Sequence, residues 1–147
     1  MQVDQALFDA AVEQLHTRWP GNGAGVAAAV YLADGSILTG VLLDNINPSM
    51  TLCAETGPIC QANTTDKAIV ASICVARAAG GEFHVLAPCG ACQERLALWG
   101  PDVQVGVASA NSDAGWESRA LIEVHPHYWA TAYAEGSEWP TQTEHSG

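Results

Sequence analysis

Three cysteines fall into two short motifs that lie far apart in the sequence, and these motifs restrict the possible folds more than any other feature. The first is Cys-Ala-Glu at residues 53–55, and the second is Pro-Cys-Gly-Ala-Cys at residues 88–92. We predict that each motif opens a helix, so that Cys89 and Cys92, on one helical turn, point to the same side. The fold must then bring two helix N-termini together if all three sulfur atoms are to meet.

Three converging thiolates are typical of a zinc site, and the number of ligands indicates its class. Structural zinc sites usually have four protein ligands, whereas catalytic sites keep one position open for water. Glu55 stands two residues after Cys53, close enough to reach the open position without being a ligand. We therefore expect one Zn2+ per chain, held by Cys53, Cys89 and Cys92, with Glu55 as the proton-transferring residue.

Other interpretations of the same residues remain open at this point. The three cysteines can be ordinary buried thiols, or a fourth ligand from Cys60, Cys74 or His84 can complete a structural zinc site. Glu55 can be an acid in the first turn of a helix, where the helix dipole favours negative charge. We interpret Cys60 and Cys74 as core residues, because free cysteine is often buried.

With these motifs in view, the chain resembles the cytidine deaminase family, which includes the related blasticidin S deaminases. The resemblance spans roughly residues 25–99: a hairpin with an Asp-Gly turn, an Asn-containing loop, Cys-Ala-Glu, a strand and Pro-Cys-Gly-Ala-Cys. The paired motifs in this order are specific to zinc deaminases. The resemblance implies a three-layer α/β/α sandwich with a mixed, roughly five-stranded sheet, a zinc-dependent hydrolytic deaminase activity, and a homotetramer or dimer.

Several residues depart from the family pattern. In ordinary cytidine deaminases an Asn and a Glu after the second strand hold the ribose hydroxyls, and the aligned segment here is Leu42, Leu43, Asp44 and Asn45. Asp44 can still accept a hydroxyl hydrogen bond, but Leu42 cannot replace an amide. A family Phe on the first strand corresponds to Ala24.

The resemblance and the departures together define the functional hypotheses. The first is hydrolytic deamination of a free cytidine-like nucleoside with release of ammonia. The second keeps this chemistry and changes the substrate to a blasticidin-like antibiotic or another modified amino-pyrimidine or heterocycle. The third, from another class, is a non-catalytic module with structural zinc. The predicted substrate-binding residues are Leu42, Asp44, Asn45 and Ala54.

The charge around the metal raises a further question. Many family members carry an Arg directly after the catalytic Glu, where it donates hydrogen bonds to the zinc thiolates, and this chain has Thr56 there. Because three thiolates outnumber the two charges of Zn2+, another donor is expected. Arg77 and Arg95 are the candidates.

The hydrophobic pattern predicts one domain over residues 1–147, with a loosely ordered tail from about residue 130. Asp4 is expected to cap the first helix, and Asp34-Gly35 to form the hairpin turn. The predicted helices cover residues 4–18, about 53–62, 89–99 and 118–124. The predicted strands cover residues 25–32, 37–43, 67–76, 83–87 and 102–109.

The charge balance restricts the partners of the chain. It has five Lys and Arg against sixteen Asp and Glu, which gives a net charge of -11. Phosphate contacts need clustered cations, so we expect a small-molecule nucleoside or analogue rather than nucleic acid or an anionic membrane. The acidic N-terminal residues do not resemble a secretory signal. We expect a reducing, cytoplasmic location, where free thiols persist.

A His-Pro-His segment and three tryptophans near the C-terminus are further candidates for functional residues. His125-Pro126-His127 is interpreted as a pair of surface histidines rather than a second metal site. Trp116, Trp129 and Trp139 are interpreted as packing or interface residues. Trp129 is the first choice for an aromatic residue that covers a substrate pocket, as the family resemblance implies.

Overall fold

A mixed six-stranded sheet lies between helices in this computed structural model, which describes residues 1–135 and 138–140. The strands are β1 (Gly25–Leu32), β2 (Ile37–Val41), β3 (Ile69–Arg77), β4 (Phe83–Leu86), β5 (Gln104–Ala108) and β6 (Trp116–Ala120). The α-helices are α1 (Gln5–Arg18), α2 (Thr56–Thr64), α3 (Gly90–Leu96) and α4 (Leu121–Val124). Short 3-10 helices cover Pro48–Met50, Ala97–Trp99 and Trp129–Tyr133.

The central strand of the sheet is β3. The strand order is β2-β1-β3-β5-β6, and β4 pairs with β3 outside this order. β4 lies antiparallel to residues 74–77 of β3, and β5 lies parallel to residues 71–72. The other pairs are antiparallel. The prediction of a mixed sheet is confirmed, with one strand more than expected.

Helices cover both faces of the sheet, so the predicted three layers are confirmed. On one face, Leu7 and Ala11 of α1 pack against alternate residues of β1 and β3 such as Ala29 and Ile73. On the other face, Ile59 of α2 and Leu96 of α3 join a second core cluster. The alternation of side chains along a strand therefore assigns each residue of β1 and β3 to the α1 face or to the α2–α3 face.

Asp4 caps α1 as expected, since its side chain accepts a hydrogen bond of 2.9 Å from the Leu7 amide. The hairpin turn is also confirmed, and Gly35 has the positive φ of 82° that the turn requires. The predicted helix over residues 118–124 was wrong in its first half. Residues 116–120 form β6, because pairing with β5 satisfies backbone groups that a short isolated helix would leave exposed.

Part of the segment for which a loosely ordered tail is predicted lies within the described residues. Trp129–Tyr133 form a 3-10 helix, and Trp139 is only 6% exposed. The Trp139 ring lies 4.5 Å from the Tyr128 ring, so Trp139 packs on the core through aromatic surface. The expectation for residues 136–137 and 141–147 lies outside the described residues. Within the described ranges, none of the helices combines the length and the hydropathy that crossing a bilayer requires.

Candidate metal and catalytic centre

The two cysteine motifs meet at the N-termini of α2 and α3. Glu55 is the N-cap residue of α2, and Cys53 lies just before it, so the helix begins slightly later than predicted. Cys89 is the N-cap residue of α3, and Cys92 lies in its first turn. The Cys53 and Cys89 sulfur atoms are 3.4 Å apart, and all three sulfur atoms lie within 4.8 Å of one another.

This spacing fits one metal ion. Tetrahedral zinc with Zn–S bonds of 2.3 Å places its sulfur ligands about 3.8 Å apart. Among the described residues, the group of ligand atoms that converges here consists of Cys53, Cys89 and Cys92. Cys60, Cys74 and His84 are outside the group, so the arrangement does not favour a four-ligand structural site.

Ionisation of all three thiols to thiolates requires a nearby cation. Burial, followed by the nearby Glu55 carboxylate, raises the pKa of Cys92. Burial and the shared hydrogen bond with Cys89 raise the pKa of Cys53. Burial opposes ionisation of Cys89 too, but backbone amides, chiefly that of Cys92, lower its pKa overall. A bound Zn2+ would supply the missing positive charge.

Glu55 is buried beside the sulfur atoms, with only 4% of its surface exposed. Burial raises the pKa of its carboxyl group, whereas hydrogen bonding with the Cys92 and Cys74 thiols and the charge of Arg95 act in the opposite direction. A carboxyl group with a raised pKa exchanges protons more readily at neutral pH, as a general acid and base requires.

Arg95, and not Arg77, lies next to the ligand sulfurs. The Arg95 Nη1 atom is 3.9 Å from Cys92 Sγ and 3.3 Å from Thr56 Oγ1. Of the two candidates, Arg95 on α3 is therefore the one whose guanidinium lies beside the cysteine sulfur atoms.

Arg77 has a different set of partners. It is 2% exposed, and its guanidinium donates to the carbonyl oxygens of Gly23 (2.6 Å) and Trp19 (2.7 Å). Its Nη1 also lies 3.0 Å from His16 Nδ1. Arg77 thus fixes the segment between α1 and β1.

Two of the four predicted substrate-binding residues line one cavity of about 580 Å3 at the ends of β1, β2 and β3. These are Leu42 and Asp44, and Ala24 lines it as well. Asn45 is exposed, and its side-chain oxygen accepts a hydrogen bond from the Asn47 amide within its own loop. Ala54 is buried against Ala28 and Cys74.

The residues that line this cavity without having been predicted to bind substrate include Val26, Ala76 and His84. The sequence feature that could have predicted them is the alternation of side chains along strands. This alternation shows which residues face the cavity only once the strand register is known. The proximity of Cys74 to Glu55 was missed for the same reason, although its predicted burial is confirmed.

Two predictions about isolated side chains were wrong. Cys60 is exposed, because it lies on the side of α2 that faces away from the sheet. His125 is partly buried, with its ring 5.5 Å from that of Tyr128 and its Nε2 without a hydrogen-bond partner among the described residues. His127 is exposed as expected.

Trp129 is exposed and lies away from the cavity of Leu42. Its indole nitrogen donates a 3.0 Å hydrogen bond to the Glu94 carboxylate. It lines a separate cavity of about 640 Å3 together with Cys60 and Arg95. Within a single chain, Trp129 therefore does not cover the cavity that Leu42 and Asp44 share.

Comparison with known proteins identifies the relatives of this chain. No family model matches it. A cytidine deaminase from Mycobacterium tuberculosis is 35% identical over 78 residues, which are 52% of this chain and only 56% of that relative. The crystal structure of the cytidine deaminase from Bacillus anthracis superimposes with a TM-score of 0.81 and 41% identity over 90% of this chain and 94% of that one. The cytidine deaminase from Mycobacterium leprae gives a TM-score of 0.62 and 27% identity over 82% of this chain and 95% of that one. The chain therefore belongs to the cytidine deaminase family of hydrolytic deaminases.

Proposed function

We propose that the protein is a zinc-dependent aminohydrolase that converts a free cytidine-like nucleoside into its uridine counterpart and ammonia. The observation that carries the proposal is the buried Glu55 carboxylate beside three sulfur atoms that lie within 4.8 Å of one another. The names of the relatives support the same reaction. Cys53, Cys89 and Cys92 would hold one Zn2+.

The metal and Glu55 have different roles in the proposed reaction. Bound zinc would supply a Lewis acid that lowers the pKa of water toward neutrality. Glu55 takes one proton from the attacking water and delivers it to ring nitrogen N3, which makes C4 electrophilic. The C4–O bond then forms, the C4–N bond breaks, and Glu55 carries a second water proton to the departing amine, which leaves as ammonia.

The substrate class follows from size and charge. The cavity of about 580 Å3 that Leu42 and Asp44 line is in the range of small-molecule sites. The net charge of -11 disfavours polyanions such as RNA or DNA, whereas a free neutral nucleoside carries no such penalty.

The proposal includes a homo-oligomer and a cytoplasmic location. Large apolar side chains are exposed on the described part of the chain, among them Ile46, Met50 and Tyr133. Such side chains would be covered in an assembly of identical chains. Thiol ligands remain reduced in the cytoplasm, which suits a site made of three cysteines.

The direct test replaces Glu55 with Gln. Because the amide keeps the shape of the side chain but cannot transfer protons, Glu55→Gln should lower kcat for ammonia release by about 10²- to 10⁴-fold. Zinc content, measured by mass spectrometry of the metal, should stay at one ion per chain. Glu13→Gln, on the exposed side of α1, is the matched control and should keep full activity.

The same experiment decides between this function and a non-catalytic zinc module. If neither the zinc-loaded native protein nor the control releases ammonia from any amino-pyrimidine offered, the zinc is structural and the enzyme proposal fails. If Glu55→Gln retains native turnover, a different group transfers the protons. The alternative that changes only the substrate, to a blasticidin-like or modified amino-heterocycle, is favoured if one of these compounds is deaminated faster than cytidine.

A further inference from the structure

The sheet places two parallel rows of side chains on the face that carries the candidate catalytic centre. The first row contains Gly40, Ala28, Cys74 and Leu86, which are neighbours across β2, β1, β3 and β4. This row lies under the reacting groups, because Ala28 and Cys74 form a buried cluster with Ala54, and Cys74 contacts Glu55.

The second row lies two residues further along each strand, about 6.7 Å away. Val26 pairs with Ala76, and Ala76 pairs with His84. The Leu42 amide donates a 3.0 Å hydrogen bond to the Val26 carbonyl oxygen, which continues the pairing of β2 with β1. All four of these residues line the cavity of about 580 Å3.

A substrate with its reacting carbon at Glu55 can extend over the second row but not in the opposite direction. On the opposite side of the first row, Val30 is fully buried in the core cluster that includes Ile59 of α2 and Leu96 of α3. Helices therefore cover that part of the sheet. The side of the first row that these helices leave open is therefore the side of the second row and its cavity, which is where we place the half of the substrate that does not react.

The part of the cavity that continues the second row, which we call its floor, consists of the apolar residues Leu42, Val26 and Ala76, and their side chains cannot donate or accept hydrogen bonds. The cavity is also lined by Arg18, Trp19 and Arg77, but the Arg77 guanidinium already donates to the Gly23 and Trp19 carbonyl oxygens, and the exposed Arg18 lies over the Trp19 ring. Asp44 is exposed to water. His84 is exposed as well, and its ring nitrogen lies 3.9 Å from the Glu82 carboxylate.

From this arrangement we infer that the floor of Leu42, Val26 and Ala76 receives the sugar half of the substrate, so that nucleosides whose sugar lacks its ring hydroxyls are accepted nearly as well as cytidine. The inference rests on the proposed function and specifies the substrate class of the same site. A site built to hydrogen-bond a hydroxyl rejects the analogue without it by about 10⁴- to 10⁵-fold, because buried polar groups lose their partners. When the sugar hydroxyls are absent, an apolar floor loses no hydrogen bond. An exposed carboxylate such as Asp44 then binds water in place of the hydroxyl, which changes affinity by about tenfold at most.

The test compares kcat/KM for cytidine and for 2′,3′-dideoxycytidine on the zinc-loaded native protein. We expect the two values to agree within about tenfold. A preference for cytidine of about a hundredfold or more overturns the inference, while ammonia release from cytidine leaves the proposed function in place. If neither nucleoside releases ammonia, the proposed function fails, and this inference fails with it.

A variant tests the floor itself. Leu42→Asn places an amide on the second row and should raise the preference for cytidine over dideoxycytidine by about tenfold or more. Ile37→Asn, at the other end of β2 and outside the cavity, is the matched control and should leave the ratio unchanged. An unchanged ratio in folded, zinc-loaded Leu42→Asn would show that the sugar does not lie on this row, and would overturn the inference.

Discussion

At the scale of single residues, Arg95 places a positive charge next to the sulfur atoms of the candidate metal site. Its Nη1 atom lies 3.9 Å from Cys92 Sγ, and Thr56 Oγ1 accepts from the same atom at 3.3 Å. Three thiolates exceed the charge of Zn2+, and the buried Glu55 carboxylate adds to the excess. When the cysteines hold a metal ion, a guanidinium at this distance would stabilise their thiolates.

Removing this charge should weaken metal binding. We expect Arg95→Met to lower zinc affinity by about 10- to 100-fold, measured by competition with a chelator of known affinity. Arg119→Met is the charge-matched control, because Arg119 pairs with Glu117 and Glu123 at the surface and should leave zinc affinity unchanged.

A second substitution distinguishes charge from packing in this experiment. Adding Thr56→Arg to Arg95→Met returns a guanidinium to the same sulfurs from α2, and should restore much of the lost affinity. Native zinc affinity in Arg95→Met alone would mean that other groups balance the thiolates, and the role assigned to Arg95 would be wrong.

At the scale of elements, β2 and the Cys-Ala-Glu segment approach each other so closely that only glycine fits between them. A Cβ atom at Gly40 would lie 2.7 Å from the Ala54 carbonyl oxygen and 2.5 Å from Pro58 Cδ. Both neighbours belong to the segment that positions Glu55. Gly40→Ala should therefore displace α2 and lower the free energy of unfolding by about 1–3 kcal/mol.

The control for this prediction lies in α2 itself. A Cβ at Gly57 meets no atom within 4 Å, and alanine favours a helix over glycine by about 1 kcal/mol. Gly57→Ala should therefore keep or raise stability in urea unfolding, with full zinc content. If Gly40→Ala unfolds at the same urea concentration as the native chain, the close approach has no energetic role.

The elements that could be predicted from sequence are those with a local cause. Asp4 marks the start of α1, and Asp34-Gly35 marks the hairpin turn, because capping and positive φ are properties of single residues. β6 was missed because its residues become a strand only through pairing with β5. The length of α2 was predicted closely, but the helix begins at Thr56 and not near Cys53.

The same division applies to the candidate site. Cys53, Glu55, Cys89 and Cys92 stand in motifs whose spacing already indicates chemistry, so their convergence could be expected. The second row of Val26, Ala76 and His84 carries no motif at all. Its members come together through strand register, which is a long-range property that the sequence pattern of each strand does not contain.

At the scale of the whole molecule, the C-terminal segment closes the core on the α2–α3 side of the sheet. Trp139 belongs to the same cluster as Ile59 and Leu96, and its ring contacts those of Tyr128 and His125. The described residues after Trp129 are therefore part of the folded domain and contribute to its stability.

Two tryptophans of this segment allow a matched test of that contribution. Trp139 is 6% exposed and Trp129 is 61% exposed. Trp139→Ala removes a buried indole and should lower stability by about 3–5 kcal/mol, which corresponds to a decrease in Tm of about 10 °C or more. Trp129→Ala loses mainly its hydrogen bond to Glu94 and should cost about 1 kcal/mol. Calorimetry of both variants measures the difference, and equal Tm values would mean that the segment of Trp139 does not pack on the core in solution.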